Sequence, residues 1–219
     1  MASLTATTAL GGIVPCDEVI AEIRITEVAD IDLASIAARR DGGSAVKRVA
    51  TKMFGGLPAA GRSLSKGDDG IIWMGVEQYL VEARSNGASS DSAATRLAAA
   101  LGEAASITDQ SDAWVRFDLE GARTPAMLER LSAADTRRMQ AGVAVRTPIH
   151  HMLCLVICRE DGTRYSVYGP RASAPSLHHA LTAAAGSLKR GARTVPRSRR
   201  YRSGGCFRPT APVAGPAWS

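Results

Sequence analysis

The chain has 219 residues, of which 45% are hydrophobic, 22% charged and 5% aromatic. This is the composition of an ordinary globular protein, and the scarcity of aromatics argues against a nucleic-acid module that stacks bases on aromatic side chains. The formal charge of +6 is uneven, because eight of the 27 lysines and arginines follow Leu188 and the 188 residues before them carry a net charge of −2; electrostatic steering of nucleic acid by the folded body is therefore excluded.

The first half of the chain predicts a mixture of strands and helices after a flexible N-terminal arm over residues 1–18. Alternating apolar and charged residues indicate strands, and apolar residues at helical spacing indicate helices, with Ser44 and Asp91 as N-caps. The predicted elements are a strand at the start of 19–33 with an irregular continuation, a helix over 44–55, a Gly/Pro/Ser-rich loop over 55–70, strands over 71–75 and 78–83, and a helix over 91–104.

The second half repeats the same order of elements. Pro125 suits the first turn of a helix, and Asp161-Gly162 is a strong signal for a β-hairpin. After a linking segment, His150 and His151 are predicted to begin a strand, with side chains on opposite faces. The predicted elements are a strand over 113–121, a helix over 124–135, strands over 150–160 and 163–169, and a helix over 173–188.

This order predicts an α+β protein made of two ferredoxin-like split β-α-β halves with antiparallel sheets. We expect one domain over residues 19–188, in which helices cover one face of each sheet. Residues 189–219 are rich in Arg, Pro, Gly and Ser and have no apolar period. Such a segment buries too little surface to offset its ordering entropy, so we expect a disordered basic C-terminal tail.

The cysteines, the length of the apolar runs and the N-terminal segment indicate the cellular compartment in which we expect the protein. Cys16, Cys154, Cys158 and Cys206 form no CxxC pair, and Cys154 and Cys158 would lie roughly 13 Å apart on one strand, too far to share a metal ion. We expect free thiols in a reducing compartment. No apolar run reaches the ~18 residues that span a bilayer, and no signal peptide is recognisable. The expected location is the cytoplasm, without a membrane partner.

Three segments of the chain have a distinctive order of residues. These residues are Trp73, Gly75, Glu77, Tyr79, Leu80 and Val81; then Thr108, Asp109, Ser111, Asp112, Gly121, Leu128 and Asp135; then Gly142, Arg146, Thr147, Arg171, Ala172 and Ser173. Together the three segments resemble the gamma subunit of heterotetrameric sarcosine oxidase. The resemblance covers 71 to about 188 and is loose before that, and some of it is shared with the folate-binding domain of aminomethyltransferases.

The resemblance implies a non-catalytic subunit of an oxidoreductase complex. That complex demethylates sarcosine oxidatively to glycine, with formation of hydrogen peroxide and methylenetetrahydrofolate. The partners would be the alpha, beta and delta subunits, and FAD, FMN, NAD and tetrahydrofolate would be bound by partner subunits rather than by this chain. The sequence agrees in having neither a dinucleotide fingerprint nor a P-loop. Two alternatives stay open: a stand-alone folate-binding aminomethyltransferase-like protein, and a nucleic-acid binder acting through the basic tail.

The candidate site residues form two groups, and no catalytic or metal-binding residue is predicted. Asp109, Ser111 and Asp112 are interpreted as turn residues that bond nearby amides, with a contact to the folate pterin as the alternative. The histidine pairs His150-His151 and His178-His179 lack the spacing of metal ligands. The interface candidates are residue types enriched in binding hot spots, with core packing or hairpin support as the competing interpretation: Trp73, Tyr79, Trp114, Arg146 and Arg171.

Overall fold

A computed structural model of the chain describes residues 6–85 and 92–190, with side chains up to residue 188. It contains eleven strands and four α-helices in these ranges. The strands are β1 (Asp17–Ile20), β2 (Ile23–Val28), β3 (Ile31–Ala38), β4 (Ser63–Lys66), β5 (Asp69–Gly75), β6 (Gln78–Arg84), β7 (Ala105–Asp109), β8 (Trp114–Glu120), β9 (Ala144–Ile149), β10 (Met152–Glu160) and β11 (Arg164–Pro170). The helices are α1 (Gly43–Phe54), α2 (Ala93–Leu101), α3 (Thr124–Leu128) and α4 (Ala174–Arg190).

The strands form two antiparallel sheets of matching design. The N-half sheet has the order β4-β5-β6-β3-β7, and the C-half sheet the order β1-β2-β8-β11-β10-β9. In each sheet a strand–helix–strand–strand–helix unit follows the ferredoxin-like order. The fourth strand position is taken by β7 in the N-half sheet and by β2 in the C-half sheet. The predicted α+β fold with two antiparallel sheets is confirmed.

The two sheets pack face to face between two layers of helices. One buried cluster lies between the N-half sheet and helices α1 and α2, and a second lies between the C-half sheet and helices α3 and α4. The third cluster joins the inner faces of both sheets and forms the inter-sheet layer. Its buried members are Leu33, Ile72, Leu80, Ala144, Leu155, Ile157 and Tyr168. This layer positions the candidate sites, because its two ends open into clefts.

Several element boundaries differ from the sequence predictions. The segment 19–33 holds parts of three strands, and β2 and β3 belong to different sheets. The predicted helix over 124–135 ends at Leu128, and the linking segment contains β9. His150 and His151 do not begin a strand: both have positive φ angles, 46° and 69°, and form the two-residue turn between β9 and β10. Histidine tolerates this left-handed conformation better than most residues do.

Two predicted segments lie wholly or partly outside the described residues. The basic tail is described only as far as Arg190, where α4 ends, and residues 191–219 lie outside. The predicted cap Asp91 also lies outside, and the side chain of Ser92 caps α2 by accepting from the amide of Thr95 at 3.2 Å. The helices of the described ranges include none that is long and apolar enough to cross a membrane.

The start of α1 depends on a close backbone contact. The helix begins at Gly43, so the predicted N-cap Ser44 is wrong, and Gly42 occupies that position. A Cβ at Gly42 would lie 1.9 Å from the carbonyl oxygen of Ala104. Since the carbonyl is a backbone group and a Cβ has a fixed position on its Cα, no side-chain rotation relieves the clash.

We therefore expect Gly42→Ala to lower the free energy of unfolding by about 1–3 kcal/mol, the range typical of overpacking. The matched control is Gly186→Ala inside α4, where a Cβ meets nothing within 4 Å. That change should raise stability by about 0.5–1 kcal/mol, because alanine is the better helix former. Urea unfolding of both variants checks the pair, and a Gly42→Ala protein as stable as the parent would contradict the packing described.

Candidate functional site

The inter-sheet layer ends in two clefts of opposite character. The charged cleft has a volume of about 390 Å³ and the apolar cleft about 300 Å³. The charged cleft is lined mainly by Asp30, Asp68, Asp69, Glu82, Arg84, Arg116, Arg159 and Arg164. The apolar cleft is lined by Ser35, Ile36, Ala37, Met74, Gln78, Tyr79, Leu80, Gln110, Trp114 and Arg146. Strand β6 contributes to both, because its even-numbered residues from 78 to 84 face the C-half sheet.

The floor of the charged cleft is a buried ionic network centred on Glu82. The carboxylate of Glu82, only 3% exposed, accepts two hydrogen bonds from the Arg159 guanidinium at 2.7 and 2.9 Å and one from Arg116 at 3.3 Å. The Tyr168 hydroxyl donates a further short bond. Gly70 lies opposite Glu82 on β5, and a Cβ there would lie 2.6 Å from the carboxylate. Glycine at this position makes room for the buried side chain.

The network extends across the C-half sheet through Asp118 and Ser166. Arg116 donates to the two carboxylate oxygens of Asp118, each at 2.7 Å. The hydroxyl of Ser166 donates to Asp118 at 2.6 Å and accepts from Arg159 at 2.8 Å. The two arginines are therefore balanced by two carboxylates, as a buried ionic cluster requires. The network links β6 of one sheet to β8, β10 and β11 of the other.

These contacts shift the pKa values of the network away from neutrality. Burial by itself raises the pKa of Glu82, but the charges and hydrogen bonds of Arg159, Arg116 and Tyr168 lower it overall. Burial and the nearby Glu82 raise the pKa of Tyr168. General acid–base catalysis works best with a pKa near the working pH. Glu82 and Tyr168 are therefore suited to joining the sheets rather than to transferring protons.

The apolar cleft brings together three of the five predicted interface residues. Tyr79, Trp114 and Arg146 all border it, although Tyr79 is also a buried member of the N-half core. Burial, together with the charge of Glu77, raises the pKa of Tyr79, so its phenol stays neutral. Arg146 is exposed, and no carboxylate of the described residues lies within ion-pair distance of it.

Exposed apolar side chains lie beside this cleft. Val76, in the turn between β5 and β6, is 85% exposed, and Leu153, near the start of β10, is 50% exposed. Leu153 lies on the same face of β10 as Leu155, which belongs to the inter-sheet layer. Together with the half-buried Met74 and Trp114 they make this end of the molecule more apolar than the charged end. Aromatic and arginine side chains beside exposed aliphatic ones are typical of a protein–protein contact.

The other two interface candidates lie elsewhere. Trp73 is on the opposite face of β5 and packs against the core beneath α1 and α2, as the core-packing interpretation expects. Arg171 follows β11, donates to the carbonyl of Thr7 at 3.3 Å and lies 3.9 Å from the carboxylate of Asp112. It therefore connects the chain near its N terminus to the start of α4 and does not border the apolar cleft.

The predicted polar cluster forms a local turn between β7 and β8. The carboxylate of Asp109 accepts from the amide and the hydroxyl of Ser111, at 2.9 and 2.7 Å. The Ser111 hydroxyl also accepts from the amide of Leu33 at 3.0 Å, which fastens this turn to β3. Asp112 is almost fully exposed. These are the bonds that the turn interpretation expects, and a contact of Asp109 with folate stays a prediction.

Sequence reasoning missed the Glu82 network. Glu82 was part of a correctly predicted strand, but its partners Arg116 and Arg159 are 34 and 77 residues away. The available signal was the single carboxylate among the apolar residues of that strand, since a charge in such a position needs a partner. The sequence offers no means to identify which arginine supplies it.

Comparison with known proteins identifies solved structures with a similar fold. No family model matches the sequence, and no curated protein matches it. Among solved structures, the chain is similar to one chain of the heterotetrameric sarcosine oxidase of Corynebacterium sp. U-96 in complex with pyrrole 2-carboxylate. The TM-score is 0.65 at 23% identity, over 76% of this chain and 85% of that one.

A second similar structure is the glycine cleavage system aminomethyltransferase T of Bartonella henselae. The TM-score is 0.50 at 13% identity, over 71% of this chain but only 44% of that enzyme. At identities this low, the two matches show that the chain shares the fold of these proteins, and they do not show its function.

Proposed function

We propose that this chain is the non-catalytic gamma subunit of a heterotetrameric sarcosine oxidase. The observation that carries the proposal is the structural match to a chain of such an enzyme. The match takes in most of both chains, so the two are of similar length, whereas the aminomethyltransferase is more than half unmatched. The ordered sequence motifs between residues 71 and 188 support the same assignment.

The chemistry of the two clefts agrees with a structural role. In the charged cleft, the carboxylates of Glu82 and Asp118 neutralise Arg116 and Arg159, and the bonds of Glu82 hold the sheets together. In the apolar cleft, Trp114 and Arg146 are accessible beside Val76 and Leu153. The buried charged groups on the floor of the charged cleft are paired with one another, and the apolar cleft has the composition of a contact surface. We assign the apolar cleft as the docking surface for a partner subunit.

The proposal also assigns the partners and cofactors. The alpha, beta and delta subunits would complete the complex, and FAD, FMN, NAD and tetrahydrofolate would be bound by those subunits. The chain would support oxidative demethylation of sarcosine to glycine without contributing a catalytic residue. Its contribution would be the rigid two-sheet body that presents the docking surface.

Co-purification tests this proposal. The full chain carries an affinity tag and is co-expressed with the alpha, beta and delta sarcosine oxidase subunits of the same organism. We expect all four chains to elute together from size-exclusion chromatography, with sarcosine-dependent formation of hydrogen peroxide in that fraction. A tagged chain that elutes alone while the other subunits are soluble would overturn the proposal.

A stand-alone folate-binding protein is the second candidate, because the fold is also that of the aminomethyltransferase. Against it, the carboxylate of Asp109, the predicted pterin contact, is already bonded by Ser111. We expect calorimetric titration of the isolated chain with tetrahydrofolate to release no heat beyond dilution. Saturable binding with one site per chain would favour this candidate over the gamma subunit.

A further inference from the structure

Cys16, Glu18 and His178 come together where the N-terminal strand meets the last helix. Cys16 precedes β1, Glu18 lies within it, and His178 is in the second turn of α4. The sulfur of Cys16 is 3.7 Å from Nε2 of His178, and Oε1 of Glu18 is 2.7 Å from the same nitrogen. The three potential ligand atoms all lie within 4.8 Å of one another.

These distances suit a tetrahedral metal ion. Zinc binds sulfur at about 2.3 Å and imidazole nitrogen at about 2.0 Å, so a tetrahedral angle separates the two ligand atoms by roughly 3.5 Å. The Cys16–His178 separation of 3.7 Å is close to this value. The carboxylate oxygen needs roughly 3.3 Å from the nitrogen, a little more than its 2.7 Å. A small rotation of the Glu18 side chain would open that space.

The surroundings of the three residues carry negative charge. Glu27 is 3% exposed and accepts from the amides of Leu10 and Cys16 at 3.0 and 3.1 Å. Within the described ranges it has no lysine, arginine or histidine at ion-pair distance. Oε1 of Glu18 is shielded from solvent, and its contact with Nε2 of His178 does not have the geometry of a hydrogen bond. A divalent cation would compensate both carboxylates.

The imidazole of His178 is held in place by a neighbouring aromatic ring. The His178 ring packs against Phe117 with ring centroids 5.6 Å apart, which fixes its orientation toward β1.

We propose that Cys16, Glu18 and His178 bind one zinc ion, with water as the fourth ligand. A thiolate and an imidazole together favour zinc over magnesium or calcium. Binding releases the Cys16 proton to solvent and joins β1 to α4, which are 162 residues apart at this contact. Sequence spacing does not indicate the site, because Cys16 and His178 are far apart along the chain and meet only in the fold. The proposal is independent of the function proposed above.

Cobalt serves as the spectroscopic probe for this site. The full chain with Cys206→Ser, which removes the tail thiol, is freed of metal with a chelator and titrated with Co²⁺. We expect one equivalent to bind and to produce a thiolate-to-cobalt charge-transfer band in the near ultraviolet, which Zn²⁺ then abolishes. Cys154 and Cys158 are buried and do not contribute. Absence of stoichiometric binding or of the band would overturn the proposal.

Ligand variants in the same background locate the site. We expect Cys16→Ser to lose the band. Both Cys16→Ser and His178→Gln should weaken zinc binding at least about 10-fold, because removing a ligand should lower the affinity more than removing an outer-shell contact does. His179→Gln, at the exposed neighbouring position, is the control and should bind as the parent does. Circular dichroism verifies that each variant is folded. A band that survives in folded Cys16→Ser, or unchanged zinc affinity in His178→Gln, would refute the assignment.

Discussion

Replacing Glu82 with glutamine is expected to lower the free energy of unfolding by about 3–5 kcal/mol, the cost of breaking a buried ion pair. The loss arises because the two positive charges of Arg159 and Arg116 would remain between the sheets with one carboxylate, that of Asp118, in place of two. Arg159 would also lose one of its two bonds to Glu82, since the amide oxygen of glutamine can replace only one of the two carboxylate acceptors. Urea unfolding at pH 7 measures the effect.

The matched control is Glu103→Gln, which breaks an ion pair with Arg39 at the surface. Its carboxylate is almost fully exposed, and such pairs contribute no more than about 1 kcal/mol. The comparison separates burial from the loss of a charge as such. A Glu82→Gln protein within about 1 kcal/mol of the parent would show that the network does not hold the sheets together.

The effect of Glu82→Gln on the free energy of unfolding is expected to depend on pH. The pKa of Glu82 is lowered in the folded protein, so the ionised form contributes stability above the unfolded pKa of about 4.3. That contribution is lost as the pH falls through the lowered folded value. The stability difference between parent and Glu82→Gln should therefore be full at pH 7 and shrink below about pH 4. A difference that grew toward acid pH would contradict this account.

A second large effect is expected on assembly. The double variant Trp114→Ala, Arg146→Glu removes the largest aromatic side chain of the apolar cleft and reverses its one charge. Hot-spot residues of this kind each contribute about 2 kcal/mol or more, equivalent to roughly 30-fold in affinity. We expect the tagged double variant to retain less than about a tenth of the partner subunits in a co-purification experiment.

A charge reversal at the opposite end of the molecule is the control. Arg164 is exposed, as Arg146 is, and within the described part of the chain neither has an ion-pair partner. Arg164 borders the charged cleft. Arg164→Glu should therefore retain the partners, and circular dichroism should show both variants folded. Equal retention by the two variants would place the docking surface elsewhere.

The sequence predicted those elements that have a strong pattern of their own. The cores of α1, α2 and α4 have helical spacing of apolar residues, and β8, β10 and β11 have strand patterns. The missed strands depend on pairing instead. Strand β4 has the sequence SLSK, and it is a strand because it pairs with β5. Strand β9 contains Pro148, which argues against a central strand, and it lies at the edge of the C-half sheet, where proline is tolerated.

The candidate sites were predictable only as individual residues. Trp114 and Arg146 are interface candidates by residue type alone, and they border one cleft because β8 and β9 belong to the same sheet, with β11 and β10 between them. The zinc ligands Cys16 and His178 meet where α4 lies beside the start of β1, and the Glu82 network depends on the stacking of the two sheets. Local periodicity determines which face of a strand a residue occupies. It contains no information on which strand of the other sheet lies opposite.

Hydrogen–deuterium exchange tests the central claim, that this chain presents a docking surface at its apolar end. Exchange is compared between the isolated chain and the same chain in the co-expressed complex with alpha, beta and delta subunits. The account predicts slower exchange in the complex at the Val76–Glu77 turn and over 110–113. Exchange at the turn 67–68 of the charged cleft should be unchanged. Protection confined to the charged cleft, or identical exchange throughout, would contradict it.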